Sequence, residues 1–274
     1  MEKLIITVAP TGNVPTREMT SHLPVTPEEI AKTAVRCREA GASLIHIHAR
    51  DEHGKPTLDP EIFARTHRLI TERTDLIVQI STGGRAGMDT EMRAAAVRLI
   101  RPEMASLTTG SMNFPAKIYE NSPQVIEFLA AAMQQAGTKP ELEIFEAGMI
   151  ANALRLVENG LIEPPLHFDF VLGSRGSLPA SPKNLLFLSE SIPPGATWTV
   201  AAVGRWQLPM TTMSIITGGH VRVGLEDNIY YRKGELATNE QLVARVARLA
   251  AELGRPVATP DEAREILGLM RRKE

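Results

Sequence analysis

Short β-branched apolar runs alternate with longer amphipathic runs about eight times along the chain, and few folds accommodate that rhythm. The apolar runs are Leu4–Pro10, Ser43–Arg50, Leu76–Thr82, Met104–Thr109, Glu141–Ala147, Leu166–Gly173, Thr197–Val203 and Val221–Asp227. Each is brief and mostly apolar, as strands covered by helices are. The first helix opens with Thr26-Pro27-Glu28-Glu29 and closes at Gly41. Those residues supply a capping hydroxyl, a proline in the first turn, acids facing the helix dipole and a glycine stop. Further helices are expected at Pro60–Arg73, Asp89–Ile100, Pro123–Ala136, Met149–Asn159, Lys183–Ser191, Pro209–Ile216 and Asn239–Leu253, with a last helical turn at Pro260–Met270. This count over roughly 250 residues predicts one α/β domain, a (β/α)8 TIM barrel spanning residues 1–274. The rival is an open doubly wound sheet. It is disfavoured because Pro10-Thr11-Gly12-Asn13-Val14-Pro15, after the first strand, lacks the glycine pattern of a dinucleotide fold.

Composition narrows the function. A formal net charge of -2 leaves no basic footprint for nucleic acid or an anionic membrane surface. The single cysteine, Cys37, lies in a helical pattern and reads as a packing residue rather than a nucleophile. Met1-Glu2-Lys3-Leu4-Ile5-Ile6 runs straight into a strand, and no apolar stretch is long enough to span a bilayer. A cytoplasmic protein is the expectation.

The chemistry gathers at His46-Ile47-His48. Strand side chains alternate faces, so histidines two residues apart point the same way and come within reach of one ion. Two hydrogen-bonded core histidines would give the same pattern. In a barrel the site lies where strands end. Strand three ends Ser81-Thr82-Gly83-Gly84 and strand four Thr108-Thr109-Gly110-Ser111, hydroxyls and amides suited to a carboxylate. Strand five carries Glu143. Strand eight carries Arg222, Gly224 and Glu226 on one face, followed by Asp227. Glu143 with Arg222 could be a structural ion pair, and Glu226-Asp227 an acidic turn. Convergence favours function, because strands two and eight flank strand one in a closed barrel. Glu226 can then meet His46 and His48 above it. Two histidines and one carboxylate with a position left open form a catalytic metal set, best suited to zinc.

The chain resembles the β-keto acid cleavage enzymes, whose best-known activity is 3-keto-5-aminohexanoate cleavage. The matching stretches are LPVTPEEIA, EAGASLIHIHARD, ISTGG, ASLTTGSMNF and HVRVGLEDN. The resemblance implies a barrel, usually a homotetramer, with one zinc ion per chain and acetyl-CoA as co-substrate. It implies that a β-keto acid plus acetyl-CoA gives acetoacetate plus a new acyl-CoA. By position, His46, His48 and Glu226 match the zinc ligands, Asp227 the base and Arg222 its charged partner, with Glu143 completing that cluster. Ser81 or Thr82, with Gly83, and Thr108 or Thr109 fall where the family holds the keto acid. Family members acting on the amino-substituted acid place an acid near position 14, whereas this chain has Val14. An uncharged or anionic substrate tail is therefore expected, with Arg17, Glu18 and Arg85 as the other residues that could read it. Gly173–Ser177 and Lys183 are candidate CoA contacts. Two rival readings are a CoA-independent metal-dependent aldolase or hydrolase and a non-catalytic metal-binding barrel.

Overall fold

The computed structural model describes residues 2–84 and 88–269. Eight parallel strands close on themselves: β1 (Ile6–Val8), β2 (Leu44–Ile47), β3 (Ile77–Ile80), β4 (Met104–Thr108), β5 (Lys139–Ile144), β6 (His167–Leu172), β7 (Thr197–Ala202) and β8 (His220–Val223). They follow chain order around the barrel, and β8 closes onto β1 with Thr7 opposite Arg222. The expected (β/α)8 barrel is the fold observed.

Helices wrap the outside: α1 (Pro27–Glu39), α2 (Pro60–Thr71), α3 (Thr90–Ile100), α4 (Pro123–Ala136), α5 (Gly148–Glu158), α6 (Pro182–Ser191), α7 (Gln207–Thr217) and α8 (Asn239–Glu252), with α9 (Pro260–Leu267) following them at the lower end. Their starts are written in the sequence. Thr26, Thr238 and Thr259 each accept a backbone N–H while Glu29, Gln241 and Glu262 answer in capping boxes. Met270, assigned to the last helix from sequence, lies outside the described residues.

Two strand ends differ from the sequence expectation. Strand two stops at Ile47, and Ala49–Arg50 turns away to pair antiparallel with Pro56–Thr57, so His48 sits at the break. Strand eight stops at Val223, not Asp227. Gly224 adopts φ +143°, and a Cβ there would come within 2.1 Å of the Ala9 carbonyl oxygen. The chain turns at that glycine, and Asn228 N–H donates to the Gly224 carbonyl. Glu226 and Asp227 therefore project from a turn and do not continue the face of Arg222.

Inside the barrel, side chains two apart share the lumen. At the lower end Ile5, Leu44, Ile77 and Met104 pack against Ala258, Ala263 and Leu267, so α9 plugs the floor. Outside, residues such as Val8, Ile45, Ile47, Val78 and Ile80 join the larger core beneath the helices. Cys37 lies in that core, and burial pushes its thiol up, as befits a packing residue.

Candidate active site

The two histidines face one another. His46 Nε2 and His48 Nε2 are 3.2 Å apart, and Glu226 Oε1 lies 3.3 Å from His48 Nε2 and 4.0 Å from His46 Nε2. One ligand atom from each residue falls within 4.8 Å of the others. His46 Nδ1 is 2.5 Å from the Gln79 side-chain oxygen, which can only accept. The proton is thereby fixed on Nδ1 and the lone pair of Nε2 is aimed at the cluster, as for a ligating histidine. Burial, reinforced by Arg222, pushes His46 down to about 4, so its imidazole is neutral at pH 7. Burial alone would raise Glu226, yet His48, Arg222 and His46 hold it well below the usual carboxylate range. Its second oxygen has no hydrogen-bond partner among the described residues. A neutral, oriented nitrogen and an ionised, half-free carboxylate are donors that fit a divalent ion.

Glycine makes the cluster possible. Gly12, at φ +62°, packs on Glu226, and a Cβ there would come within 2.4 Å of its Cγ. The loop after β1 is thus pressed against the end of β8. Arg50 ties that loop down by donating to the carbonyls of Gly12 and Pro15.

Arg222 is the hub of the site. Its Nε donates to Asp227 Oδ2 at 3.0 Å, and Nη2 donates to Asp227 Oδ1 at 3.1 Å and to Glu226 Oε1 at 2.7 Å. On the other side Nη1 faces Asp169 Oδ2 at 3.5 Å and Glu143 Oε1 at 3.7 Å. Four carboxyl groups thus share one guanidinium, a charge imbalance that protons or a cation must offset. Burial pushes Asp227 up to about 6; Arg222 pulls it down and Glu226 pushes it up, without reversing that outcome. Burial also raises Glu143, against the pull of Arg222. Thr108 donates its hydroxyl to Glu143 Oε2 at 2.5 Å and sits 2.9 Å from the Tyr119 hydroxyl.

His48, Glu143, Arg222, Glu226 and Asp227 line the deep end of a cavity of about 570 Å³ that opens at the C-terminal rim. Ser81 and Gly83 line it, with the Gly83 N–H donating to the Ser81 hydroxyl. Thr82 turns inward and donates to the Ser106 carbonyl, and Thr109 does the same to that of Met149. Of the two hydroxyl pairs left open by the sequence, Ser81 lines the cavity and Thr108 joins Glu143. Asn13 and Val14 stand at the mouth, with Val14 72% exposed. Gly173, Ser174 and Arg175 line the opposite wall, while Lys183 is exposed on α6 away from the cavity lining. Arg17 is paired with Glu29, and Arg85 lies outside the described residues.

Three site residues escaped the sequence reading. Tyr119 arrives on a hairpin, Met112–Phe114 against Lys117–Tyr119, and lines the cavity with Phe114 and Ile118. Its two-residue Pro115-Ala116 turn between alternating runs was the available signal. Gln79 and Asp169 are single polar residues inside apolar strands, Ile77-Val78-Gln79-Ile80 and Phe168-Asp169-Phe170. A lone polar side chain there marks the lumen face.

Fold and site together define a (β/α)8-barrel enzyme with a two-histidine, one-carboxylate cluster beside a buried arginine–carboxylate group. The family model for beta-keto acid cleavage enzymes matches residues 3–269, and the chain belongs to that family. It is 50% identical over 272 residues to the 3-keto-5-aminohexanoate cleavage enzyme of Fusobacterium nucleatum, covering 98% of this chain and 99% of that one. It is 42% identical over 270 residues to the 3-oxoadipate:acetyl-CoA acetyltransferase of Cupriavidus necator, covering 97% and 94% of the two chains. Among solved structures, apo ObcA superposes with TM-score 0.78 at 20% identity, over 90% of this chain and 66% of ObcA, a likeness of fold.

Proposed function

We propose that this chain, acting as one barrel domain, takes a β-keto acid and acetyl-CoA to acetoacetate and a new acyl-CoA. The acetyl-CoA partner is supported by the relative named an acetyl-CoA acetyltransferase, and the keto acid by the family itself. The observation that carries the reading is the apposition of the His46, His48 and Glu226 cluster with the Arg222–Asp227 pair in one cavity.

His46, His48 and Glu226 are the residues that would hold a zinc ion. When bound, zinc supplies Lewis acidity toward the keto acid's oxygens. The rest is done by the chain. Asp227, raised to about 6, is ionised at neutral pH yet close enough in basicity to take a proton from the carbon between the two carbonyl groups. Arg222 grips both Asp227 oxygens and fixes their direction. Ser81 and the Gly83 segment, on the cavity wall, orient the keto acid's carboxylate, and Thr108 with Glu143 bounds its ketone end. The proton held on Asp227 returns to carbon when acetoacetate forms. The two-carbon acid fragment moves to the acetyl group, the remaining acyl group moves to the CoA sulfur, and no net proton is gained or lost. Gly173, Ser174 and Arg175 offer amides, a hydroxyl and a cation for CoA on the opposite wall.

The tail of the substrate is uncharged or anionic. Val14, Leu58, Phe114 and Ile118 near the mouth offer no carboxylate to an ammonium group, and Lys117 beside them is itself cationic. The exposure of Val14 softens the expected discrimination, since a cationic tail there keeps part of its hydration.

The active form is a homotetramer in the cytoplasm. The support for assembly is a set of large apolar side chains left exposed along α6, α7 and the turn before α7, namely Phe187, Trp206, Leu208 and Ile216. No helix among the described residues is long and apolar enough to cross a membrane. Sedimentation at several concentrations tests the assembly. Activity is tested by acetoacetate release from a panel of β-keto acids with and without acetyl-CoA, alongside metal analysis. Turnover independent of acetyl-CoA would defeat the proposal.

A further inference from the structure

The barrel lumen below the site holds buried polar atoms that are not matched to one another. Asp169 and Glu141 are wholly buried, and none of their four carboxyl oxygens has a hydrogen-bond partner among the described residues. The same holds for the Gln79 side-chain nitrogen, Thr7 Oγ1 and Arg222 Nη1. These atoms come from five strands, β1, β3, β5, β6 and β8, around one lumen. Leaving a buried polar atom without a partner is costly, so a cluster mixing donors and acceptors is a place for ordered water.

We propose that Asp169 is a positioning residue, acting through Arg222 on Asp227 from a water-bridged polar column in the lumen. The inference rests on the reading of Asp227 as the base. The geometry of Arg222 carries it. Nε and Nη2 are committed upward to Asp227 and Glu226, which leaves Nη1 as the guanidinium nitrogen pointing down. Asp169 at 3.5 Å is its nearer neighbour there, with Glu143 at 3.7 Å. A planar fork is fixed only when both of its edges are held. Without Asp169 the lower edge would have Glu143 alone, and Glu143 also accepts from Thr108. Burial and the neighbouring Glu141 hold the Asp169 carboxyl well above its usual range, against the pull of Arg222. Asp169 thus sits below Arg222 Nη1, in the same lumen as Glu141, which lies 3.4 Å from His167, and water can bridge these unmatched atoms.

Asp169→Asn keeps the shape and a hydrogen-bonding side chain beside Arg222, whereas Asp169→Leu removes the polar atoms. The asparagine variant should hold kcat within about threefold of the parent. The leucine variant should lose about 100-fold in kcat, with KM within about threefold and zinc content unchanged, because the base is misaimed while the binding groups stay. Asp169→Ala is measured alongside in case the leucine variant fails to fold, and should lose at least about tenfold in kcat. Crystals of the parent should show water bridging Asp169 to Glu141 or Gln79, and crystals of the leucine or alanine variant should show Arg222 swung off Asp227. Equal impairment of the asparagine and leucine variants, parental kcat in the leucine variant, or Arg222 still gripping both Asp227 oxygens in variant crystals would overturn the proposal. If the parent itself fails to turn over keto acid with acetyl-CoA, the functional reading has failed, and the Arg222 position in the variant crystals still decides the positioning role.

Discussion

The lower half of the lumen has two unlike sides. Strands β1 to β4 fill theirs with Ile5, Leu44, Ile77 and Met104, closed off by Ala263 and Leu267 of α9. Strands β5 to β8 contribute Glu141, His167, Thr199 and His220, where His167 Nδ1 meets Thr197 at 2.8 Å and His220 Nδ1 accepts the Ile5 N–H at 3.1 Å. The apolar side removes hydrocarbon from water and anchors the floor. The polar side does not add to that burial and carries unmatched polar atoms directly beneath Arg222. A fold gains nothing from such a column, and a site that must aim an arginine does. Within this lower layer hydrocarbon burial and polar support thus lie on different strands, and substitutions there should separate stability from turnover in the same way.

The largest effects belong at the C-terminal rim, where residues from the ends of β2 and β8 meet above β1. His46→Ala, His48→Ala and Glu226→Ala should each lose bound zinc and activity to the limit of detection while the barrel stays folded, because the core does not depend on the ion. Metal analysis with circular dichroism checks this, and full occupancy in a doubly substituted His46/His48 protein would refute the ligand set. Next come Asp227→Asn and Arg222→Leu, which should abolish turnover with zinc retained in the asparagine variant. Their combination should be little worse than either alone, since both serve one step. Multiplying losses in the double mutant would break the pair apart.

The pH response follows from the same residue. Asp227 acts as base only when ionised, so kcat/KM should fall as pH drops through about 6 and level off above it. An acid limb near pH 4, the range of an unperturbed aspartate, would show that the buried environment does not tune it.

On the apolar side the effect moves to stability. Leu44→Ala should cost roughly 2–5 kcal/mol of unfolding free energy while kcat per folded molecule stays near that of the parent. Denaturant unfolding together with active-site titration separates the two, and a kcat loss as large as that of Arg222→Leu would erase the division. The smallest effect lies at the mouth. Val14→Glu should shift kcat/KM toward amino-substituted keto acids by no more than about 1–3 kcal/mol, because the position is 72% exposed. An unchanged ratio would leave position 14 without a role in reading the tail.

The same division explains what could be read without coordinates. The barrel was legible because helix starts such as Thr26-Pro27-Glu28-Glu29 and Ser122-Pro123 carry their own caps, and because the strands are brief, mostly apolar runs. His46, His48, Glu226, Arg222 and Asp227 were legible through strand adjacency and resemblance, and they meet in space. The route was imperfect at Glu226, which reaches the histidines from a turn made by Gly224 and not along a strand face. Thr82 could not be told from Ser81, nor Thr109 from Thr108, because neighbouring residues differ only in which way the strand end twists. Asp169 was passed over because a single acid between phenylalanines carries no motif, and its meaning depends on Arg222 two strands away around the barrel.

Carbon flow tests the central claim most directly. The enzyme is incubated with an unlabelled β-keto acid and acetyl-CoA carrying 13C in both acetyl carbons, and the products are resolved by mass spectrometry and NMR. The account predicts acetoacetate labelled at its ketone and methyl carbons only, with an unlabelled new acyl-CoA formed in equal amount. Keto acid cleaved without acetyl-CoA, or label appearing in the new acyl-CoA, would contradict it.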